Sequence, residues 1–410
     1  MSAKVNGFLA DTWWYALTAR LKDEDFLRLA KLRVAQGFTA VQLVCGIPPE
    51  TTPENPNAAS PVGPAWTRSG DFNQEYLQYA RGRIKHLNEI GLTVIVYGAW
   101  GPQINWLGVQ RMIAWWREVI EITRDLDVIY CLTGESNLQP GIRDLALFNG
   151  QIDLVQTLDR LLDATRFTKK VKNRLLRTPA MILNRRHAWS VVLREVAKLT
   201  TTPILLHVSP GLTAFDCVED PALLAANTVQ TGHTEQSRPY LHKWPLQHYA
   251  RPDAMGRGFV NLEPWYEGIL ARFRGPDQLY AYWVSMLAGA VSHCYGAHGV
   301  WNAGDGSYLD HWGSQTLEQA MALDTPRLMG LSHQVFRPYI DRPAMVNVDE
   351  KGNGVASITR SYEDLEITFI PDVSQADIPP AGKIWLPMEG RFTDQLPSSG
   401  QVVLFSTGLS

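Results

Sequence analysis

The chain of 410 residues has almost no excess of charge of either sign: 38 Lys and Arg stand against 41 Asp and Glu, a net charge of −3. Phosphate backbones call for a strong basic excess, so nucleic acid is not expected as a partner. Cysteine is scarce. Cys45, Cys131, Cys217 and Cys294 show no CxxC spacing, and each sits in or beside an apolar stretch. They read as buried free thiols in a reducing compartment, not as a disulfide frame or a zinc site. Long hydrophobic runs are missing as well. No apolar segment approaches the roughly 20 residues that a spanning helix needs, so no membrane partner is expected. Near the start, Phe8–Leu9–Ala10 is too short for the apolar part of a signal peptide, and polar Asp11 follows at once. The sequence therefore reads as cytoplasmic.

Hydrophobic residues make up 45% and charged residues 19% of the chain, ample for a folded core. The length allows two domains, or one large barrel with additions. The 14 Trp outnumber the 13 Phe and equal the 14 Tyr. Indole is bulky and its N–H needs a partner when buried. The excess points either to aromatic-heavy packing or to a surface that stacks flat ligands such as sugar rings.

Short apolar runs alternate with helical patterns. Strands are expected at 6–11, 38–44, 92–98, 127–133, 203–208, 225–231, 258–263 and 291–297, with helices at 23–36, 74–90, 107–124, 276–290 and 315–334. Eight strands alternating with helices are the signature of an α/β chain folded as a (β/α)8 TIM barrel. An open doubly wound sheet would offer a glycine-rich phosphate turn after its first strand; here that strand runs into Ala10–Asp11–Thr12–Trp13–Trp14. The barrel is expected over 1–338, with a Pro-, Asn- and Ser-rich loop at 45–72 and a helical insertion at about 138–200. That insertion carries a cationic stretch, Lys169, Lys170, Lys172, Arg174, Arg177, Arg185 and Arg186, read as a solvated helical face or subunit contact. Tryptophans on the insertions, if exposed, would offer a surface for a homo-oligomer. Over 339–410 the pattern changes. Runs at 344–349 and 355–360 flank Lys351–Gly352–Asn353–Gly354, a hairpin signal, and alternation continues at 364–370, 383–386 and 401–405. A small antiparallel, β-sandwich-like domain packed on the barrel is expected there.

In a barrel, reactive side chains project from the C-terminal ends of the strands. The fourth strand ends in Gly134–Glu135–Ser136–Asn137 and the seventh in Glu263, followed by Trp265 and Tyr266. Strands four and seven stand nearly opposite in an eight-strand ring. Two carboxylates converging from them meet the need of glycoside hydrolysis for one protonated and one ionised group. Asp11, Asn137, His207, Gln230, His233, Tyr266 and His298 are candidates to hold sugar hydroxyls, and Trp13, Trp100 and Trp301 to shape the pocket. Trp115, Trp116, Trp189, Trp283 and Trp385 read as core or interface, and His293 among apolar neighbours as structural. Two rivals stand beside this reading. One is a carbohydrate-binding barrel without catalysis. The other is a metal-dependent hydrolase or sugar isomerase using His207, His233, His293 and His298. No His-x-His pair ends the first strand and no HExxH occurs, so no metal and no cofactor are expected.

The phrases FLADTWW (8–14), QGFTAVQLV (36–44), GLTVIVYGAWG (91–101), VIYCLTGESN (128–137), NTVQTGHT (227–234), NLEPWYEG (261–268) and GAHGVWN (296–302) resemble the barrel domain of apiosidase-like glycoside hydrolases, the family 140 type. The resemblance covers residues 6–335. It implies a carbohydrate substrate and removal of a furanosidic or branched-sugar residue from a plant-type or bacterial glycan by a retaining mechanism, apiose being one sugar among several. Its acid/base position matches Glu135 in Thr133–Gly134–Glu135, where the family usually has Asp. Its nucleophile matches Glu263, its first-strand Asp matches Asp11, and its fifth-strand His matches His207.

Overall fold

The computed structural model describes residues 5–138, 185–375, 378 and 382–407. Eight parallel strands form one sheet: β1 (Leu9–Thr12), β2 (Ala40–Val44), β3 (Thr93–Tyr97), β4 (Val128–Cys131), β5 (Ile204–Leu205), β6 (Ala226–Gln230), β7 (Gly258–Glu263) and β8 (Ser292–Tyr295). They are paired in the order β5-β4-β3-β2-β1-β8-β7-β6. The β5–β6 seam is bridged by Ala225 N–H donating to Ile204 O at 2.9 Å and by the Thr228 hydroxyl on Leu206 O. The ring is thus a (β/α)8 barrel. Sequences such as AVQLV in β2 carry no polar alternation because both sheet faces are covered; every residue of β2 is buried.

The helices start and stop where local chemistry dictates. The helix Asp23–Ala35 opens on Asp23, Glu24 and Asp25, which favour the positive end of its dipole. The helix Gln74–Glu89 is capped by the Asn73 side chain, which accepts Tyr76 N–H at 3.1 Å. The helix expected at 107–124 is present as Val109–Thr123, and the one expected at 315–334 is divided. Gly108, at φ 79°, sets Val109–Thr123 off from a short helical turn before it, Ile104–Leu107. The helix expected at 315–334 divides into Leu317–Met321 and Thr325–Phe336, with Pro326 in the first turn of the second piece. Arg185–Leu199 is helical, as the insertion pattern predicts; the rest of the cationic stretch, Lys169 to Arg177, lies outside the described residues.

The C-terminal part is one six-stranded antiparallel sheet: β9 (Met345–Lys351), β10 (Gly354–Ser361), β11 (Leu365–Ile370), β12 (Lys383–Leu386), β13 (Arg391–Thr393) and β14 (Val402–Thr407). Gly352, at φ 59°, makes the two-residue β9–β10 turn, which needs a left-handed residue at that place. Residues along β14 alternate. Val403 and Phe405 join Ile358, Ile367 and Phe369 in the core shared with the barrel, while Val402 and Leu404 join a small separate cluster with Ile370 and Ile384. The second layer of this sheet is the barrel's own helices rather than a facing sheet. Arg360, buried in β10, donates to Met286 O at 3.0 Å, near the end of the helix Gly275–Leu287, and to Ile340 O at 3.1 Å.

All four cysteines are free and buried. Among the described residues no helix is long and apolar enough to cross a membrane. Trp66, in the 45–72 loop, offers no subunit surface: it is buried edge-on against Trp115, ring centroids 4.8 Å apart. Trp115, Trp116, Trp189, Trp283 and Trp385 are buried, as their positions in the pattern suggest.

Candidate active site

The C-terminal ends of β4 to β7 bring two glutamates together through shared neighbours. Glu263 closes β7 and is 5% exposed. Its Oε1 accepts the Gln230 amide at 2.9 Å and faces His233 Nε2 at 3.0 Å. Its Oε2 lies 3.2 Å from His207 Nε2, close enough for charge to act but off the line of a good hydrogen bond. Both histidines are oriented from behind. His207 Nδ1 accepts the backbone N–H of Glu135 at 2.9 Å, and His233 Nδ1 accepts that of Tyr266 at 3.3 Å. A ring nitrogen that accepts a hydrogen bond carries no proton, so each ring keeps a proton on Nε2, the nitrogen nearer Glu263.

Glu135 sits just past β4 in the left-handed region, φ 45°, a strained place for a residue with a Cβ. The strain aims its backbone N–H at His207 and its side chain at Trp100, whose indole donates to Oε2 at 3.0 Å. Two glycines permit this. A Cβ on Gly134 would stand 2.2 Å from the Trp100 ring, and one on Gly101 2.1 Å from the Glu135 carbonyl oxygen.

These surroundings push the two carboxyls apart. Burial and then the Glu263 charge raise Glu135, against smaller lowering by His207, Trp100 and Gln230. Burial would raise Glu263 too, but the N–H groups of His207 and His233 and their charge outweigh it and hold Glu263 well below the usual carboxylate range. The two carboxyls are thus shifted in opposite directions, Glu135 up and Glu263 down.

Aromatic rings surround the pair. Trp14 lies 4.8 Å from Tyr97 and 5.3 Å from Trp100, and its indole donates to the Tyr266 hydroxyl at 3.0 Å. Tyr266 packs on His233 at 4.6 Å and on Trp301 at 6.2 Å. Trp301 is buried with its indole N–H unpartnered, and His298 beside it leaves Nδ1 unpartnered.

Of the residues expected at the site, His207, Gln230 and His233 gather on Glu263, Trp100 on Glu135, and Tyr266, Trp301 and His298 on the flank. Asn137 ties two loops together, its Oδ1 accepting Ser209 N–H at 2.7 Å. Asp11 and Trp13 are elsewhere. Asp11 is fully buried in an ion pair with Arg33, 2.6 Å, on the helix behind β1, and also accepts the Trp13 indole at 2.7 Å. Trp13 packs edge-on against Phe26. A strand's side chains alternate, so Asp11 and Trp13 share the helix side while Thr12 and Trp14 share the barrel side. That alternation, anchored by the Asp11–Arg33 pair, puts Trp14 and not Trp13 toward the barrel. Gln42 in β2 and Tyr97 at the end of β3, not among the residues expected to bind, also belong to the floor of the site. Gln42 bridges Thr12 Oγ1 (2.7 Å) and Leu262 O (2.8 Å) beneath Glu263, and accepts the Tyr97 hydroxyl at 2.9 Å.

Among the described residues no three His, Cys, Asp or Glu side chains form a set that could hold a metal. The lone pairs of His207 and His233 at Nδ1 are taken up by backbone amides. His293 is buried with both ring nitrogens unpartnered, and burial pushes it down to about 3.

The chain matches no protein of curated function. Among solved structures it is similar to a glycoside hydrolase at 13% identity and TM-score 0.67, over 97% of this chain and 92% of that one. It is also similar to a glycoside hydrolase family 5 protein from Bacteroides vulgatus ATCC 8482 at 14% identity and TM-score 0.69, over 97% and 88%. At such identities these likenesses speak for the fold. The model of the apiosidase-like catalytic domain, by contrast, matches residues 7–338 continuously, from before β1 to past the last barrel helix. The chain therefore belongs to the apiosidase-like family and is a glycoside hydrolase.

Proposed function

We propose that the enzyme is a retaining glycosidase of furanosidic or branched-sugar linkages, with Glu135 as acid/base and Glu263 as nucleophile. The observation that carries this is the opposed environment of the two carboxyls. Glu263, ionised under its ring of N–H donors, attacks the anomeric carbon. Glu135, held protonated, gives its proton to the departing oxygen. A water then enters, Glu135 takes its proton, and the glycosyl–Glu263 ester is hydrolysed. The Gln230 amide donates to Glu263 and also acts on Glu135. Two carboxyls within reach of one carboxamide favour the short separation of retaining enzymes, about 5–5.5 Å, over the longer one of inverting enzymes. The furanosidic class comes from the family and from a confined, aromatic-lined site.

The test is a panel of 4-nitrophenyl furanosides of arabinose, galactose and apiose, with proton NMR of the first anomer released. A retained anomer, lost activity in Glu263→Gln, and recovery of a glycosyl azide when Glu135→Ala is supplied with azide are expected. An inverted anomer would overturn the mechanism, and near-normal turnover by Glu263→Gln the assignment.

A further inference from the structure

The two oxygens of Glu263 are unequally occupied. Oε1 takes two partners, the Gln230 amide at 2.9 Å and His233 Nε2 at 3.0 Å. Oε2 is buried and takes none; His207 Nε2 stands 3.2 Å away but off line. The free lone pairs are on Oε2, the oxygen open to an incoming carbon. Gln230 closes β6, is 5% exposed, and is fixed on the other oxygen. Its partners decide which end of the carboxamide is which. The nitrogen faces Glu263 and also acts on Glu135. Flipped, the amide would press its oxygen against an ionised carboxylate. Gln230 Oε1 therefore faces away from Glu263 Oε1, and there it is buried with nothing donating to it. A buried acceptor left unpaired is costly, so this one calls for a donor. His233 offers no such free acceptor, since its Nδ1 accepts Tyr266 N–H.

A sugar poised for reaction brings one donor to this place. Its anomeric carbon lies about 3–3.5 Å from the attacking oxygen. In an aldose, two ring atoms are bonded to that carbon. The ring oxygen has no proton to give. The other is a carbon whose hydroxyl oxygen is two bonds from the reacting centre, so it stays beside the Glu263 carboxylate. Gln230, held on the same carboxylate, is beside it too. We propose that Gln230 is the specificity-determining residue for that hydroxyl: Oε1 accepts its proton, so the enzyme takes glycosides with a free hydroxyl next to the anomeric carbon and rejects their deoxy counterparts. This rests on the reading of Glu263 as nucleophile and Glu135 as acid. The bond also serves the reaction. As the anomeric carbon gains positive character, the neighbouring hydroxyl becomes a better donor and its bond to Oε1 tightens, so its loss lowers kcat as well as raising KM. One carboxamide thus holds the nucleophile by its nitrogen and the sugar by its oxygen.

The experiment pairs each 4-nitrophenyl furanoside of arabinose, galactose and apiose with its 2-deoxy counterpart and measures kcat and KM for the wild type, Gln230→Met and His233→Ala. The wild type is expected to favour the hydroxylated probe at least roughly 100-fold in kcat/KM, as sites built around a substrate hydroxyl do. Gln230→Met keeps the length of the side chain and removes both ends of the amide. It is expected to bring the two probes within about tenfold of each other, mainly by losing the hydroxylated one. His233→Ala loosens the same Glu263 oxygen without removing a free acceptor, so it should slow both probes alike and keep the wild-type ratio. A wild-type ratio near one, a ratio that Gln230→Met leaves intact, or one that His233→Ala collapses as far, with Glu263→Gln inactive, overturns the inference about Gln230 alone. Turnover that survives Glu263→Gln overturns the catalytic assignment, and no turnover of any probe overturns both.

Discussion

Trp100 donates its indole N–H to Oε2 of Glu135 across 3.0 Å, and this bond favours the ionised form of a carboxyl that burial and the Glu263 charge shift upward. Trp100→Phe removes the donor and keeps a ring. Glu135 then rises further, so the alkaline limb of the kcat/KM profile, where Glu135 loses its proton, is expected to move to higher pH. A limb that stays in place or moves down in a pH–rate series would contradict the role given to Trp100.

His233 acts on the other carboxyl. His233→Ala removes one of the N–H donors that hold Glu263 ionised. A hydrogen bond to a charged group is worth about 1.5–3 kcal/mol, roughly 10–100-fold in rate. Activity should fall by that order, and the acidic limb should shift upward because Glu263 is protonated more readily. A fall in kcat with an unmoved acidic limb would reduce His233 to a packing residue.

Arg33 and Asp11 lie outside this chemistry. Each is fully buried against the other. Arg33→Met leaves the Asp11 charge without its cation and is expected to cost about 3–5 kcal/mol of stability. The folded fraction should keep kcat near that of the wild type. Urea denaturation and active-site-normalised rates separate the two effects, and a large loss of kcat at full folding would return Asp11 to the site.

His293 and His333 supply a stability signature. Burial lowers His293 from 6.5 to about 3, with the nearby His333 lowering it further, and burial lowers His333 to about 4. Between these values and 6.5 the unfolded chain binds protons that the folded chain refuses, so stability rises with pH across that window. Their share is complete above the unfolded value and drains away as pH falls toward the folded values. His293→Leu is expected to flatten the fall of Tm between about pH 6.5 and 4. An unchanged slope would mean that His293 does not take part.

The eight strands were legible because buried parallel strands are short apolar runs and the helices between them have clear starts and stops. Glu135 and Glu263 could be picked because both end strands. What was not legible depended on a side chain's direction or on a break within a helix. Trp13 and Trp14 are adjacent and identical, and only strand alternation, anchored by the Asp11–Arg33 pair, tells which one faces the barrel. Gly108 looks like any tolerated glycine in a helical pattern until its φ of 79° shows a break. Gln42 reads as one polar residue in an apolar strand, and its part in fixing Leu262 beneath Glu263 needs the barrel to close first.

The C-terminal sheet shares one continuous apolar core with the barrel, running through Tyr280, Phe336, Ile340, Ile358 and Phe369, and Arg360 fastens it to a helix carbonyl. Sheet and barrel are thereby bound into one cooperative unit. Calorimetry should record a single melting transition for the whole chain. A chain cut at residue 340 would lose the cover over the helix Gly275–Leu287 and bare an oily flank prone to self-association. The sheet thus serves the barrel as a cover for the apolar outer face of its last helices.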